Sequence, residues 1–358
     1  MKKYSNWLLT SVIVISLFGL LMIYSSSCIW AEYKFDDPYK FLKTQGIFLF
    51  IGYVLVGIIS KFNYNYYKKY SNIIMIGCIV LLILVLIPGI GTVRNGSRSW
   101  FGIGSFGIQP SEFTKLGLII FSAKYFSNNK ITDIKTSVLP ILMVVFLVFG
   151  LIMLQPDFGT GVIIVVTIVA LMFVTGVKMG FFVKMGVLGL LGIGALIIIA
   201  PYRLKRITSF LNPWSDPLGS GFQIIQSLYA IGPGGLLGMG LGNSVQKHFY
   251  LPEPQTDFIF SIISEELGFM GILLVATLFI MIIYSGFKIA LLQEEKFPKY
   301  VVFGITFSLA FQTLLNLMVV IGLIPVTGVT LPFLSYGGSS LLVSMVSIGI
   351  ILNISKIS

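Results

Sequence analysis

The chain has 358 residues, of which 56% are hydrophobic and 10% charged, with two cysteines and a formal net charge of +11. An ordinary soluble domain carries about 25% charged residues, so this chain cannot cover itself with polar surface and its solvent is lipid. The same numbers exclude a disordered chain and a secreted disulfide scaffold, and a nucleic-acid role falls away once the positive charge is traced to membrane topology below.

A helix that crosses a bilayer takes about 20 mostly apolar residues. Ten runs qualify, near 8–29, 42–60, 72–88, 112–127, 137–154, 159–176, 184–200, 259–285, 300–322 and 335–354. Backbone polar groups in hydrocarbon must bond within their own segment, so these runs are helices. The expected fold is all-α: a polytopic integral membrane protein of about ten transmembrane helices, forming one domain over 1–358. The first run is too long for a signal peptide and no small-residue cleavage site follows it, so it is expected to be retained.

With the N-terminus inside and the spans alternating, the inner segments hold fourteen lysines against three acids, Asp133, Glu294 and Glu295. The rest of the chain balances, so the inner side accounts for the whole +11. Lysine-rich loops mark the cytoplasmic side, and both termini are expected there. The two long connections, 88–111 and 201–257, are both outer. The second, between helices 7 and 8, is the largest extracytoplasmic loop. All four arginines, Arg94, Arg98, Arg203 and Arg206, also fall outside. Four residues is a small sample, but the guanidinium fork suits bidentate phosphate contact, which points to an anionic ligand on the outer face.

The first outer loop, VRNGSRSWFGIGSFGIQPSEFTKLG, enters a helix at Pro110-Ser111. Glu112 and Lys115 share a face of that helix, and a charge one turn inside a span needs a partner or a polar cavity. Either the two form a pair that locks the helix end, or Lys115 guards a cavity that faces a lipid-linked phosphate. Asp157, in LQPDFGTG, has the setting of a helix cap. Arg203, Lys205 and Arg206 make a basic knot at the membrane surface. Over 222–229, Phe222, Ile225, Leu228 and Tyr229 lie opposite Gln223, Gln226 and Ser227, the pattern of an interfacial helix. The glycines between 232 and 242 lack the Gly-Lys-Ser/Thr of a phosphate loop and are expected to form a flexible loop packed against lipid.

The densest polar stretch, KHFYLPEPQTDFIFSIISEELG, holds His248, which has no motif around it, and Glu253, Asp257, Glu265 and Glu266. Asp257 precedes an apolar run, so it is either that helix's N-cap or a carboxylate shielded enough from water to act as a general base. Glu265 and Glu266, two turns deeper, pair with Lys115 or with backbone. In the last outer stretch, Pro325, Gly328, Pro332, Gly337 and Gly338 give irregular backbone, tolerated at membrane depth where it is buried or lines a cavity, and are expected to wall an outward pocket. One histidine and two separated cysteines make no zinc site. Cys28 and Cys78 are expected to be packing residues.

The stretches NGSRSW…QPSEFTKL, MLQPDFGTG, PYRLKRITSFLNPWSDPLGSGFQIIQSLYAIGPGG, FYLPEPQTDFIFSIISEELG and GLIPVTGVTLPFLSYGGSS resemble the signatures of the SEDS family (shape, elongation, division and sporulation). The resemblance runs nearly end to end and is closest to the division and sporulation branch. It implies a peptidoglycan glycosyltransferase with ten transmembrane helices that polymerises lipid II into β-1,4 glycan strands. The place implied is the outer face of the bacterial cytoplasmic membrane, at the division septum or forespore membrane. The partners implied are a class B penicillin-binding protein and other division or sporulation membrane proteins. Asp257, in Thr256-Asp257-Phe258, matches the family's catalytic aspartate; Arg98, Glu112 and Lys115 match its charged outer residues. Ser99 stands where many relatives carry arginine, which leaves phosphate contact there to Arg98.

Both lines of reasoning combine into one mechanism. Asp257 takes the proton of the 4-hydroxyl of lipid II. That oxygen attacks the anomeric carbon of a glycan on undecaprenyl pyrophosphate, which leaves with inversion. Arg98, Lys115, Arg203 and Arg206 stabilise the leaving charge. A divalent cation (Mg or Mn) could share that task, with Asp257 as its ligand rather than a base. Two rivals belong to other classes: a lipid II flippase, which needs access to both leaflets, and a non-catalytic division scaffold, which gives Lys115 and the outer arginines no role.

Overall fold

The computed structural model describes residues 1–94, 96–102, 107–129, 137–199, 208 and 210–357. Long helices dominate: α1 (Lys2–Phe35), α2 (Lys40–Ile59), α3 (Asn65–Leu86), α4 (Pro110–Asn128), α5 (Leu139–Met153), α6 (Phe158–Val174), α7 (Met179–Ile199), the short α8 (Phe222–Ile231), then α9 (Ile259–Leu291), α10 (Lys296–Val320) and α11 (Gly338–Ile357). Six of them, α1, α2, α3, α9, α10 and most of α11, are long and apolar enough to cross a membrane. Three more, α5, α6 and the start of α7, are apolar but shorter. Each of the ten apolar runs lies on a helix, with ends that shift where helical bonding continues through polar residues. Thus α1 starts at Lys2 because Tyr4 and Ser5 already donate to the Met1 carbonyl. Lys130, Asp133 and Lys135 of the inner charge count lie outside the described residues.

The helix α10 is the post of the bundle, touching α4, α6, α9 and α11. α1 lies along α9 and α2, and α2 lies along α11. Polar side chains in a span are costly unless they face the interior. α10 obeys this rule: Thr306, Ser308, Gln312, Thr313 and Asn316 are buried in it.

Three features depart from the expectations above. The first outer loop contains a hairpin, β1 (Thr92–Arg94) antiparallel to β2 (Ser97–Trp100), with Gly96 at φ +79° supplying the left-handed turn. The helix over Phe222–Ile231 is present, but the face it buries differs from the apolar stripe. Leu228 and Tyr229 are exposed, while Ser227 is buried with its hydroxyl 2.7 Å from that of Ser261 and donating to the Val320 carbonyl at 2.7 Å. A paired hydroxyl can be buried at little cost, so packing on α9 and α10 overrides the stripe. Third, α9 is broken at Gly268 (φ 61°, ψ −152°). The glycine run threads into that break rather than lying loose against lipid: Met239 and Gly240 donate to the carbonyls of Glu265 and Glu266, and Phe269 donates to that of Gly235.

Candidate functional site

The polar site is assembled around the start of α4. Pro110 occupies the first turn, where its missing N–H costs nothing. Glu112 and Lys115 follow on one face and meet at 2.8 Å, each side chain only 8% exposed. The attraction within a buried pair offsets the loss of water only where further hydrogen bonds satisfy its remaining donors and acceptors. Lys115 also donates to Oε1 of Gln312 at 2.7 Å, and Gln312 donates onward to the Thr330 carbonyl at 2.9 Å. The expected pair therefore exists. It also borders a cavity of about 20 Å³ lined by Ser308, Gln312, Ser344 and Ser347 among others, enough space for one water.

One turn along α10, Asn316 donates to the carbonyl of Asp257 at 2.7 Å and to that of Val329 at 2.8 Å. The same face of α10 thus holds the lysine pair at Gln312 and the Asp257 backbone at Asn316. Asp257 is partly exposed. It is not the N-cap residue of α9: that position is Phe258, which makes no side-chain cap hydrogen bond. The last outer stretch forms a wall of this region, since a Cβ on Gly328 would lie 3.8 Å from Asp257 Oδ2 and Tyr336 N–H donates to the Gln255 carbonyl at 2.8 Å.

Asp157 is a cap, as its turn predicts: its Oδ1 accepts from Thr160 N–H at 3.1 Å. Its Oδ2 accepts from Gln109 at 2.8 Å and Ser111 at 3.3 Å, which ties the start of α6 to the start of α4. Burial pushes its carboxyl above the usual range. The Thr160 hydroxyl and N–H oppose that shift, Glu112 adds to it and Lys115 opposes it.

Arg98 sits on β2 opposite Val93, with its stem over Gly91. The hairpin is fixed to the α5–α6 turn by Ser97, which donates to the Gln155 carbonyl. Arg94 lies over the Trp100 ring at 4.9 Å. Hydrogen bonds thus connect the hairpin, Asp157 and the α4 start, but no direct contact joins Arg98 to Lys115 among the described residues. Arg203 and Arg206 lie outside the described residues.

The open question over Glu265 and Glu266 has a definite answer: neither pairs with Lys115. Glu266 pairs with Lys247 at 3.0 Å, with side-chain exposures of 0% and 3%, and accepts from Ser25 on α1. Glu265 accepts from the Ser244 hydroxyl at 2.5 Å, Val245 N–H at 2.8 Å and Gln246 N–H at 3.4 Å. Gln312 and Asn316 are further residues that the sequence argument passed over; amides inside an apolar span were the available signal.

Comparison with known proteins extends the picture. A family model for cell cycle proteins (FtsW, RodA and SpoVE) matches residues 6–358. Stage V sporulation protein E of Bacillus subtilis is 53% identical over 361 residues, covering 100% of this chain and 99% of the relative. The probable peptidoglycan glycosyltransferase FtsW of Geobacter sulfurreducens is 39% identical, covering 99% and 95%. Among solved structures, a chain of a peptidoglycan synthase complex that coordinates polymerization and crosslinking superimposes with a TM-score of 0.80 at 30% identity, covering 98% and 96%. The rod shape determining protein RodA of Thermus thermophilus gives 0.72 at 27%, covering 98% and 95%.

Proposed function

Since this chain belongs to the FtsW, RodA and SpoVE family of cell cycle proteins, we propose that it is a peptidoglycan glycosyltransferase whose catalytic base is Asp257. The observation that carries this is the α10 face itself, where Asn316 holds the Asp257 backbone one turn from the buried Lys115–Glu112 pair. A base and a cation are thereby fixed to one rigid element.

The chemistry follows from that pairing. Lipid II presents its 4-hydroxyl to Asp257, whose carboxylate takes the proton. The oxygen forms a bond to the anomeric carbon of a glycan carried on undecaprenyl pyrophosphate. The bond from that carbon to the pyrophosphate oxygen breaks, its electron pair leaves with the pyrophosphate, and the new linkage is β-1,4. Lys115, with Arg98, Arg203 and Arg206, serves the departing charge, since fixed cations in a dry site stabilise developing negative charge far better than water does. Glu112 keeps Lys115 in place. Asp257 is a single carboxylate, the kind of donor that Mg or Mn accepts alongside pyrophosphate oxygens and water; bound there, the ion would supply further charge neutralisation, and the steps above use protein groups alone.

The helices other than the short α8 are read as ten spans, with both termini cytoplasmic and the 201–257 loop outside. A class B penicillin-binding protein is the expected partner, by analogy with the synthase complex whose chain superimposes here. The septum or the forespore membrane is the expected place, by analogy with the sporulation and FtsW relatives.

The test is polymerisation of labelled lipid II by the purified protein with its penicillin-binding partner. Asp257→Asn is expected to lower the rate about 10²–10⁴-fold, the usual worth of a general base, with the protein still folded and the partner still bound. Chain growth at the normal rate in that variant would refute the assignment. Transbilayer movement of lipid II without glycan ladders would instead favour the flippase.

A further inference from the structure

The segment that carries Asp257 is closed at its base by buried charge. On the upstream side, residues 244–247 meet Glu265 and Glu266, which lie two turns after Asp257 on α9. Glu265 takes the Ser244 hydroxyl and the N–H groups of Val245 and Gln246. Glu266 takes the Lys247 ammonium at 3.0 Å and the Ser25 hydroxyl of α1 at 2.6 Å. Lys247 also donates to the Gly242 carbonyl. Neither acid is solvent-exposed. The glycines show how tightly the pieces meet: a Cβ on Gly238 would lie 2.2 Å from the Glu266 carbonyl oxygen. Residues 248–264, Asp257 among them, form a loop and first helical turns that leave this staple and return to it.

A purely structural ion pair is a weak device, because removing charges from water costs as much as their attraction returns. Placing two carboxylates and an ammonium here makes more sense where fixed geometry matters. We propose that Lys247, Glu265 and Glu266, with Ser25, form a positioning staple that holds Asp257 in its reactive place and couples that place to α1. The proposal rests on Asp257 being the base. The staple residues do not touch substrate; they act through the chain they fix. A misplacement of about 1 Å in a reacting group can cost on the order of 100-fold in rate.

The experiment uses the full chain in complex with its penicillin-binding partner. Lys247→Met strands Glu266, Lys247→Arg keeps the charge, and Ser25→Ala cuts only the arm to α1, which leaves a milder lesion should Lys247→Met fail to fold. Two readouts are taken: steady-state kinetics on lipid II, and amide hydrogen exchange across 244–266. For Lys247→Met and, less strongly, Ser25→Ala, kcat is expected to fall between about 10-fold and 100-fold with KM within about twofold. Exchange over 248–257 is expected to rise while α4 and α10 stay protected, and Lys247→Arg is expected to restore both readouts. Unchanged exchange over 248–257 in folded Lys247→Met or Ser25→Ala overturns the staple, whatever the activity. Raised exchange with unchanged kcat overturns its positioning role. If wild-type protein makes no glycan yet the variants loosen 248–257, the assigned activity fails and the staple stands.

Discussion

Replacing Lys115 by methionine isolates the worth of the buried pair at the start of α4. Methionine fills much of the same volume, so the change is chiefly electrical. It leaves the Glu112 carboxylate buried without its ammonium at 2.8 Å, and Oε1 of Gln312 without the donor now at 2.7 Å. Removing one partner of a buried ion pair costs about 3–5 kcal/mol, mostly because the survivor stays charged in a poor solvent. At about 1.3 °C per kcal/mol for a chain of this length, thermal unfolding of the detergent-solubilised protein is expected to fall by roughly 4–7 °C. The double variant Glu112→Gln/Lys115→Met has no stranded charge and is expected to regain most of that loss, since a buried pair replaced as a unit is often close to neutral. Neither variant supplies a cation, so both are expected to lose polymerisation. Equal unfolding temperatures for the single and double variants would refute the reasoning, because the cost would then be packing and not an uncompensated carboxylate.

Other perturbations follow the same logic. Gly238→Ala, with φ at +76° and the Glu266 carbonyl in the way, is expected to destabilise the protein. Gly46→Ala, in α2 with nothing within 4 Å of the new methyl, is expected to be neutral or to stabilise by roughly 0.5–1 kcal/mol; thermal unfolding compares the two. Asp157→Ala removes a cap and is expected to cost about 0.5–2 kcal/mol by the same measurement. Asp157 also sets a pH dependence. Its carboxyl is raised by burial in the fold, so the folded state binds its proton more readily than the unfolded chain does. That contribution is fully present below the ordinary carboxylate range and is lost as pH rises through the folded value. Wild-type stability is therefore expected to decline over that interval more than that of Asp157→Asn; parallel curves would exclude it.

How much of this was legible in the sequence differs by element. The long apolar helices were, because lipid forces long apolar runs and helical hydrogen bonding at once. Glu112 and Lys115 were, because a spacing of three on a helix needs no tertiary information. The hairpin was signalled in the sequence by Asn95-Gly96 between Thr92-Val93-Arg94 and Ser97-Arg98-Ser99-Trp100, a strong turn pair, yet it is too short to stand out from a glycine-rich loop. Ser227 was placed on the wrong face because a stripe cannot foresee a hydroxyl partner 34 residues away. The Lys247–Glu266–Ser25 meeting was out of reach for the same reason: its members lie up to 241 residues apart, and only the packing of α1 on α9 brings them together.

The interruption of α9 at Gly268 carries an electrical consequence. A severed span gains two extra helix ends inside the bundle, and the upper half, from Ile259 to Leu267, terminates with its negative pole at Glu265 and Glu266. Acids there oppose the macrodipole. Transporters meet similar severed spans with a passenger ion. In this molecule the seat is filled from within, by the ammonium of Lys247 and a ring of backbone amides, so a travelling cation would first have to evict a tethered one.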